Sequence, residues 1–149
     1  MLNTYSYRAT ARCTENERGI VDAEGISPSI NFASPPEFGG EPGFWTPEHF
    51  FVAAISTCYV ATFRAVAGAS KVPFHSLEIT VEGAIEKQEG GFRFTRVLLR
   101  PVVTIEKEPD RERIARILEK AERVCLVTRS LACKTELEAK ILVQEASHV

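Results

Sequence analysis

The stretch Thr46–Val66, TPEHFFVAAISTCYVATFRAV, decides how the chain is read. Thr46 is a helix-capping residue, Pro47 suits a first helical turn, and Glu48 lies where the helix dipole favours an anion. The residues that follow are apolar or small around almost the whole circumference, with Cys58 in the middle. A helix with that composition is expected to be buried on several sides. One sheet is too little to cover it, so a dimer that buries the remaining face is the natural expectation. The chain has no second stretch like it.

Working outward, Ser34–Phe44, SPPEFGGEPGF, carries three prolines and three glycines in eleven residues. That composition forbids regular structure and predicts a shaped loop feeding the helix, either lining a site or serving as a plain connector. Before it, residues 4–12 alternate with period two, placing Tyr5, Tyr7, Ala9 and Ala11 on one face of a strand. Cys13–Gly19 reads as a polar turn. Residues 20–23 and 29–33 read as short strands around Glu24-Gly25, with Pro28 at an edge or bulge.

After the helix, Gly68-Ala69-Ser70 is a stop signal. Residues 74–87 and 92–105 read as two long strands joined by a Gln88–Gly91 hairpin, with Pro101 marking a bulge or an exposed edge. A second helix is expected from an Asp110 N-cap to about Cys125, with Ile114, Ile117, Leu118, Ala121 and Cys125 on its buried stripe. Leu126–Ala132 reads as a short connector or a helical turn, and residues 134–143 as a last strand. The order β-β-β-α-β-β-α-β, without repeat or linker, predicts one α+β domain over residues 1–149, with mainly antiparallel sheet and a buried central helix.

The composition is that of a globular protein, 44% hydrophobic and 26% charged, and the net charge of −2 gives no reason to expect nucleic acid or an anionic membrane as partner. The first residues lack a signal-peptide pattern. Glu48, His49 and Arg64 interrupt the apolar helix, whose uninterrupted run reads as too short to span a membrane. A cytoplasmic protein is therefore expected. Cys13, Cys58, Cys125 and Cys133 form no CxxC pair, and His75 and His148 stand alone, so no metal is expected. Cys13 and Cys133 read as spectators.

A cysteine on an apolar helix is inert unless a cation holds its thiolate and a second thiol resolves its oxidised form. The available cations are Arg8, Arg12, Arg18, Arg64 and those of the second helix. Arg64 is six residues from Cys58, about 600° of helix rotation, which puts it on the far side. An arginine of the N-terminal sheet is the better candidate, and the residues alone leave open which. Glu48 and Cys58 are ten residues apart, about 15 Å along one helix, and cannot touch within it. An antiparallel copy of the helix in a second subunit would bring them together. Phe44, Trp45, Phe50 and Phe51 read either as an apolar substrate channel or as core and dimer packing. His49 reads as a partly exposed helix residue beside that channel.

The glycine/proline loop, Pro47-Glu48, AAISTCYVATF around Cys58 and VCLVTRSL around Cys125 together resemble the OsmC/Ohr family, over essentially the whole chain. That resemblance implies an intertwined homodimer of OsmC-like fold with sites at the subunit interface. It also implies a thiol-dependent peroxidase for small organic hydroperoxides, acting in oxidative-stress defence. By position, Cys58 would be the peroxidatic cysteine and Cys125 the resolving one, closing a disulfide that an external dithiol reduces, with no bound cofactor. A lipoyl group or a thioredoxin-like dithiol fits that part. Glu48 matches the family glutamate that orients an arginine beside the thiolate, and that arginine would be Arg18 or, alternatively, Arg12. A non-catalytic dimer that binds a hydrophobic ligand, or a redox sensor with the same disulfide, are the competing expectations.

Overall fold

The structure is a computed structural model that describes residues 3–15 and 18–144. Asn16 and Glu17 of the expected polar turn, and His148, lie outside the described residues. The chain divides into two compact units, Met1–Phe51 and Val52–Val149, taken here in turn.

In the first unit, β1 (Ala9–Arg12), β2 (Gly19–Ala23) and β3 (Ile26–Phe32) form an antiparallel sheet in sequence order. The first strand is shorter than residues 4–12. Its pairing starts at Ala9↔Ala23, where β2 ends in the Glu24-Gly25 turn, so the residues before Ala9 have no partner to extend against. Tyr5 and Tyr7 accordingly stand exposed. The glycine/proline loop contains a single 3₁₀ turn, Pro36–Phe38, and closes back on β3 through Ala33 N–H to Trp45 O at 2.9 Å. Gly40 is required at its position, because a Cβ there would lie 1.7 Å from the Ser34 carbonyl oxygen.

Helix α1, Pro47–Ala69, begins in this unit and runs into the second. Its start is a reciprocal cap. The Thr46 hydroxyl accepts the His49 N–H at 3.1 Å, and His49 Nδ1 accepts the Thr46 N–H at 3.2 Å. Histidine thus takes the place that glutamate or glutamine has in a capping box. At its other end, Val72 N–H reaches Ala67 O at 3.0 Å and Lys71 N–H reaches Gly68 O at 3.2 Å, the paired bonds of a Schellman motif. The left-handed residue of that motif is Lys71, at φ 56°, and not one of the glycines expected to stop the helix.

In the second unit, β4 (Ser76–Gln88) and β5 (Gly91–Ile105) pair antiparallel from Ser76↔Thr104 to Gln88↔Gly91, with a bulge between Ala84 and Ile85. The last strand expected from the sequence is two strands, β6 (Lys134–Leu137) and β7 (Lys140–Val143), both parallel to β5. Pro101 explains the break. It is buried in the central strand, neither at a bulge nor at an exposed edge, and it has no N–H to offer on the side where Leu99 O accepts Glu138 N–H at 2.8 Å. The parallel ladder stops at Leu99↔Leu137 and resumes at Val102↔Lys140.

Alternate residues Val97, Leu99, Val103 and Ile105 of β5 are buried, as are Ile114, Ile117, Leu118 and Ala121 of α2 (Arg111–Val124). Asp110 does not cap α2 with its side chain. It closes a preceding 3₁₀ turn, Glu108–Asp110, in helical conformation, and its carboxylate lies 3.9 Å from Arg113.

By length and composition α1 is long and apolar enough to cross a membrane, contrary to the reading that its run is too short. Within one chain only the stripe Ile55, Tyr59, Phe63 and Ala67 is buried, so the helix is covered on one side and not on several. The stripe is anchored in protein. The Tyr59 hydroxyl donates to Leu118 O at 2.9 Å, and Phe63 meets Phe74 edge to face at 5.0 Å.

Candidate active site

The second unit brings together the two cysteines expected to react. Cys58 sits at mid-α1, half-buried, one residue before the anchored Tyr59. Cys125 is fully buried at the joint between α2 and α3 (Leu126–Arg129). Its own N–H closes α2 on Ala121 O at 2.9 Å, and its carbonyl opens α3 by accepting Arg129 N–H at 2.9 Å. The first amides of a helix have no partner within it, and those of Val127 and Leu126 are near enough to Cys58 to favour its anion.

The two thiols are driven in opposite directions. Burial pushes Cys58 up, but the Val127 amide, the Cys125 thiol, the Thr62 hydroxyl and the Leu126 amide all favour its anion, and together they leave it below the ordinary thiol range. The Thr62 hydroxyl, one helical turn on, lies 3.9 Å from Cys58 Sγ. Cys125 is pushed up, first by burial and further by its bond and charge interaction with Cys58, which outweigh its contacts with Thr128. The buried Thr128 hydroxyl has no partner in hydrogen-bond geometry among the described residues. Cys58 is therefore the more acidic of the two thiols and Cys125 the less acidic. Tyr59, raised by burial and by the nearby Glu122 and Cys125, keeps its proton and remains a donor.

The first unit holds the other expected residues. Arg18 donates through Nε to Glu41 Oε2 at 3.0 Å and through Nη2 to Glu41 Oε1 at 3.2 Å, a fork-to-fork pair, and its guanidinium lies 4.4 Å from the Phe44 ring centroid. Arg12, the alternative arginine, pairs with Asp22 at 2.9 Å. Glu48 is in neither pair, and its Oε2 is buried with no hydrogen-bond partner among the described residues.

Gly43, Phe44, Trp45 and His49 line a cavity of about 270 Å³. Phe50 stacks on Trp45 at 5.6 Å and meets Phe32 edge to face at 6.4 Å, outside the lining of the cavity. Phe51 is half-buried on the next position of α1. Among the described residues no group of three or more His, Cys, Asp or Glu is gathered for a metal.

Sequence reasoning did not find Glu41, Thr62 or the Leu126 and Val127 amides. Thr62 was discoverable from its i+4 spacing to Cys58. Glu41 was not, because its role depends on how an aperiodic loop is folded.

Comparison with known proteins agrees with this fold. The family model for OsmC-like proteins matches residues 39–140. An uncharacterised Bacillus subtilis protein, YmaD, is 24% identical over 132 residues, 87% of each chain. An organic hydroperoxide resistance protein OsmC from Legionella pneumophila is 25% identical with a TM-score of 0.75, over 95% of this chain and all of that one. An OsmC-like protein of unknown function from Vibrio cholerae superposes with a TM-score of 0.79 at 20% identity, over 91% of this chain and 99% of that one. The chain belongs to the family of OsmC-like proteins.

Proposed function

We propose that the chain is a cysteine-based peroxidase that reduces organic hydroperoxides in oxidative-stress defence, recycled by an external dithiol. The observation that carries this reading is the shared site of Cys58 and Cys125, in which the first thiol is lowered and the second raised from the ordinary range.

The Cys58 thiolate attacks the distal peroxide oxygen. The O–O bond breaks, the alkoxide takes a proton to leave as alcohol, and Cys58 becomes a sulfenic acid. Cys125 then attacks that sulfur, its proton leaves with the sulfenic oxygen as water, and a Cys58–Cys125 disulfide forms. A dithiol such as a dihydrolipoyl group or a thioredoxin-like protein returns both cysteines to thiols while becoming a disulfide itself. Phe44 and Trp45 of the cavity, with Phe50 and Phe51, are the side chains this reading assigns to the alkyl or aryl part of the peroxide.

Glu48 acts in this reading as the carboxylate that orients a cation beside the thiolate, a part Arg18 could take only by leaving Glu41, with which it pairs in the single chain. Supporting it is a buried Glu48 oxygen that lacks a hydrogen-bond partner among the described residues. A homodimer with interfacial sites is part of the same proposal, supported by the exposed small positions Ala54, Ala61, Ala65 and Gly68 of α1.

The test is stoichiometric. One equivalent of cumene hydroperoxide should consume two thiols per chain, Cys58→Ser should consume none, and Cys125→Ser should stop at a Cys58 sulfenic acid. Unchanged consumption in Cys58→Ser would overturn the reading. Mixing inactive Glu48→Gln and Cys58→Ser chains should restore some activity, and none restored would count against a two-subunit site.

One observation favours a second reading. Arg18 is committed to Glu41, so the groups lowering Cys58 are neutral donors. A redox sensor would form the disulfide once without turnover by any dithiol. A protein that only binds a hydrophobic ligand would form none.

A further inference from the structure

A second cavity, of about 230 Å³, opens between the end of α1 and one face of α2. Its floor is apolar, made by Val66, Val72 and Ile117, of which the last two are 5% exposed. Its rim is cationic, made by Arg113, Arg116 and Lys120, and no carboxylate lines it. These three residues follow one another at i, i+3 and i+7 along α2, so each faces a like charge on the helix surface, an arrangement that repels itself when nothing neutralises it.

Arg113 is partly committed, donating to Ser70 O at 3.1 Å and lying 3.9 Å from Asp110. Arg116 and Lys120 have no ion pair among the described residues. At the edge of the cavity, Lys71 holds a left-handed backbone that a side chain rarely adopts.

We propose that this cavity binds a small amphiphilic carboxylate, with its head on Arg116 and Lys120 and its short apolar tail on Val66, Val72 and Ile117. The volume sets the size. At about 30 Å³ per water-sized group, the space holds about seven or eight heavy atoms, which matches a carboxylate of about six carbons. The inference stands on observations independent of the cysteine chemistry, and its test does not read peroxidase activity.

The test is titration of the reduced full-length protein with hexanoate, followed by amide chemical shifts, to about 10 mM, ten times the about 1 mM midpoint expected for a ligand this small. Shifts should concentrate on residues 66–72 and 113–120, and hexanol should produce none of comparable size. The Arg116→Gln/Lys120→Gln double variant should bind at least tenfold more weakly. Both side chains are exposed, so the fold should survive their exchange. Equal binding of hexanol, equal binding of acetate, an unaffected double variant, or no shifts in these segments would each overturn the proposal.

Discussion

Tyr59→Phe isolates the contact that seats the reactive helix. The Tyr59 ring is fully buried, and its hydroxyl makes a single bond, 2.9 Å to Leu118 O. Removing the oxygen leaves the packing in place, so no cavity cost of the kind that follows ring loss arises. Leu118 lies inside α2, where its carbonyl also accepts the amide four residues on. It is therefore not orphaned, and the full penalty for a buried unsatisfied group does not apply.

The expected loss is the net worth of one neutral hydrogen bond, about 1 kcal/mol. For a chain of this length that corresponds to a fall of about 2–4 °C in Tm, measured by calorimetry on reduced protein at fixed concentration. Tyr59→Leu, which removes the ring as well, should cost about 3 kcal/mol or more. If Tyr59→Phe proved neutral, the hydroxyl would not anchor α1 to α2. If it cost as much as Tyr59→Leu, the carbonyl would be orphaned and the helical bond absent.

Three further outcomes are expected. Lys71→Gly should stabilise the protein by about 0.5–1 kcal/mol in urea titration, because glycine takes the left-handed position without steric cost; a loss of stability would place the strain elsewhere. His49→Ala should cost about 0.5–1 kcal/mol while His49→Gln costs less, since glutamine can return the bond to the Thr46 N–H; equal losses would deny the reciprocal cap. Alkylation of Cys58 by iodoacetamide should reach half its limiting rate at a pH below that of an ordinary thiol, and Cys125→Ala should move that midpoint upward by deleting a donor. Because the folded Cys58 value is depressed, its contribution to stability is present above the unfolded thiol value and lost as pH falls through the folded one. Cys125 behaves oppositely, contributing below the unfolded value and losing that as pH rises through the folded one.

Much of the fold was legible because its signals are local. Thr46-Pro47 start α1, the alternation of β5 survives as alternate burial, and the apolar stripe of α2 is the one its periodicity shows. Signals that need a partner misled. Tyr5 and Tyr7 alternate like a strand, yet β2 is too short to pair with them. Pro101 was read as an edge because a missing N–H usually lies there, whereas β5 keeps it central and places the gap in the neighbouring strand, between β6 and β7. Asp110 is a good cap by type, but the 3₁₀ turn before α2 already occupies its conformation.

The residues of the candidate site divide in the same way. Sequence by itself determined that Cys58 rides on a capped apolar helix and that Cys125 ends an amphipathic one, since helix periodicity and capping act over a few residues. Only the tertiary structure decided that the two thiols, with 66 residues between them, share one site and are driven in opposite directions. That outcome depends on the Tyr59–Leu118 anchor and on free amides at the start of α3, whose aim is set by packing. It also decided that Arg18 answers Glu41, a choice made by the path of a glycine- and proline-rich loop. No periodicity encodes that path, because the pairing energy of two charges depends on their distance in space and not on their separation along the chain.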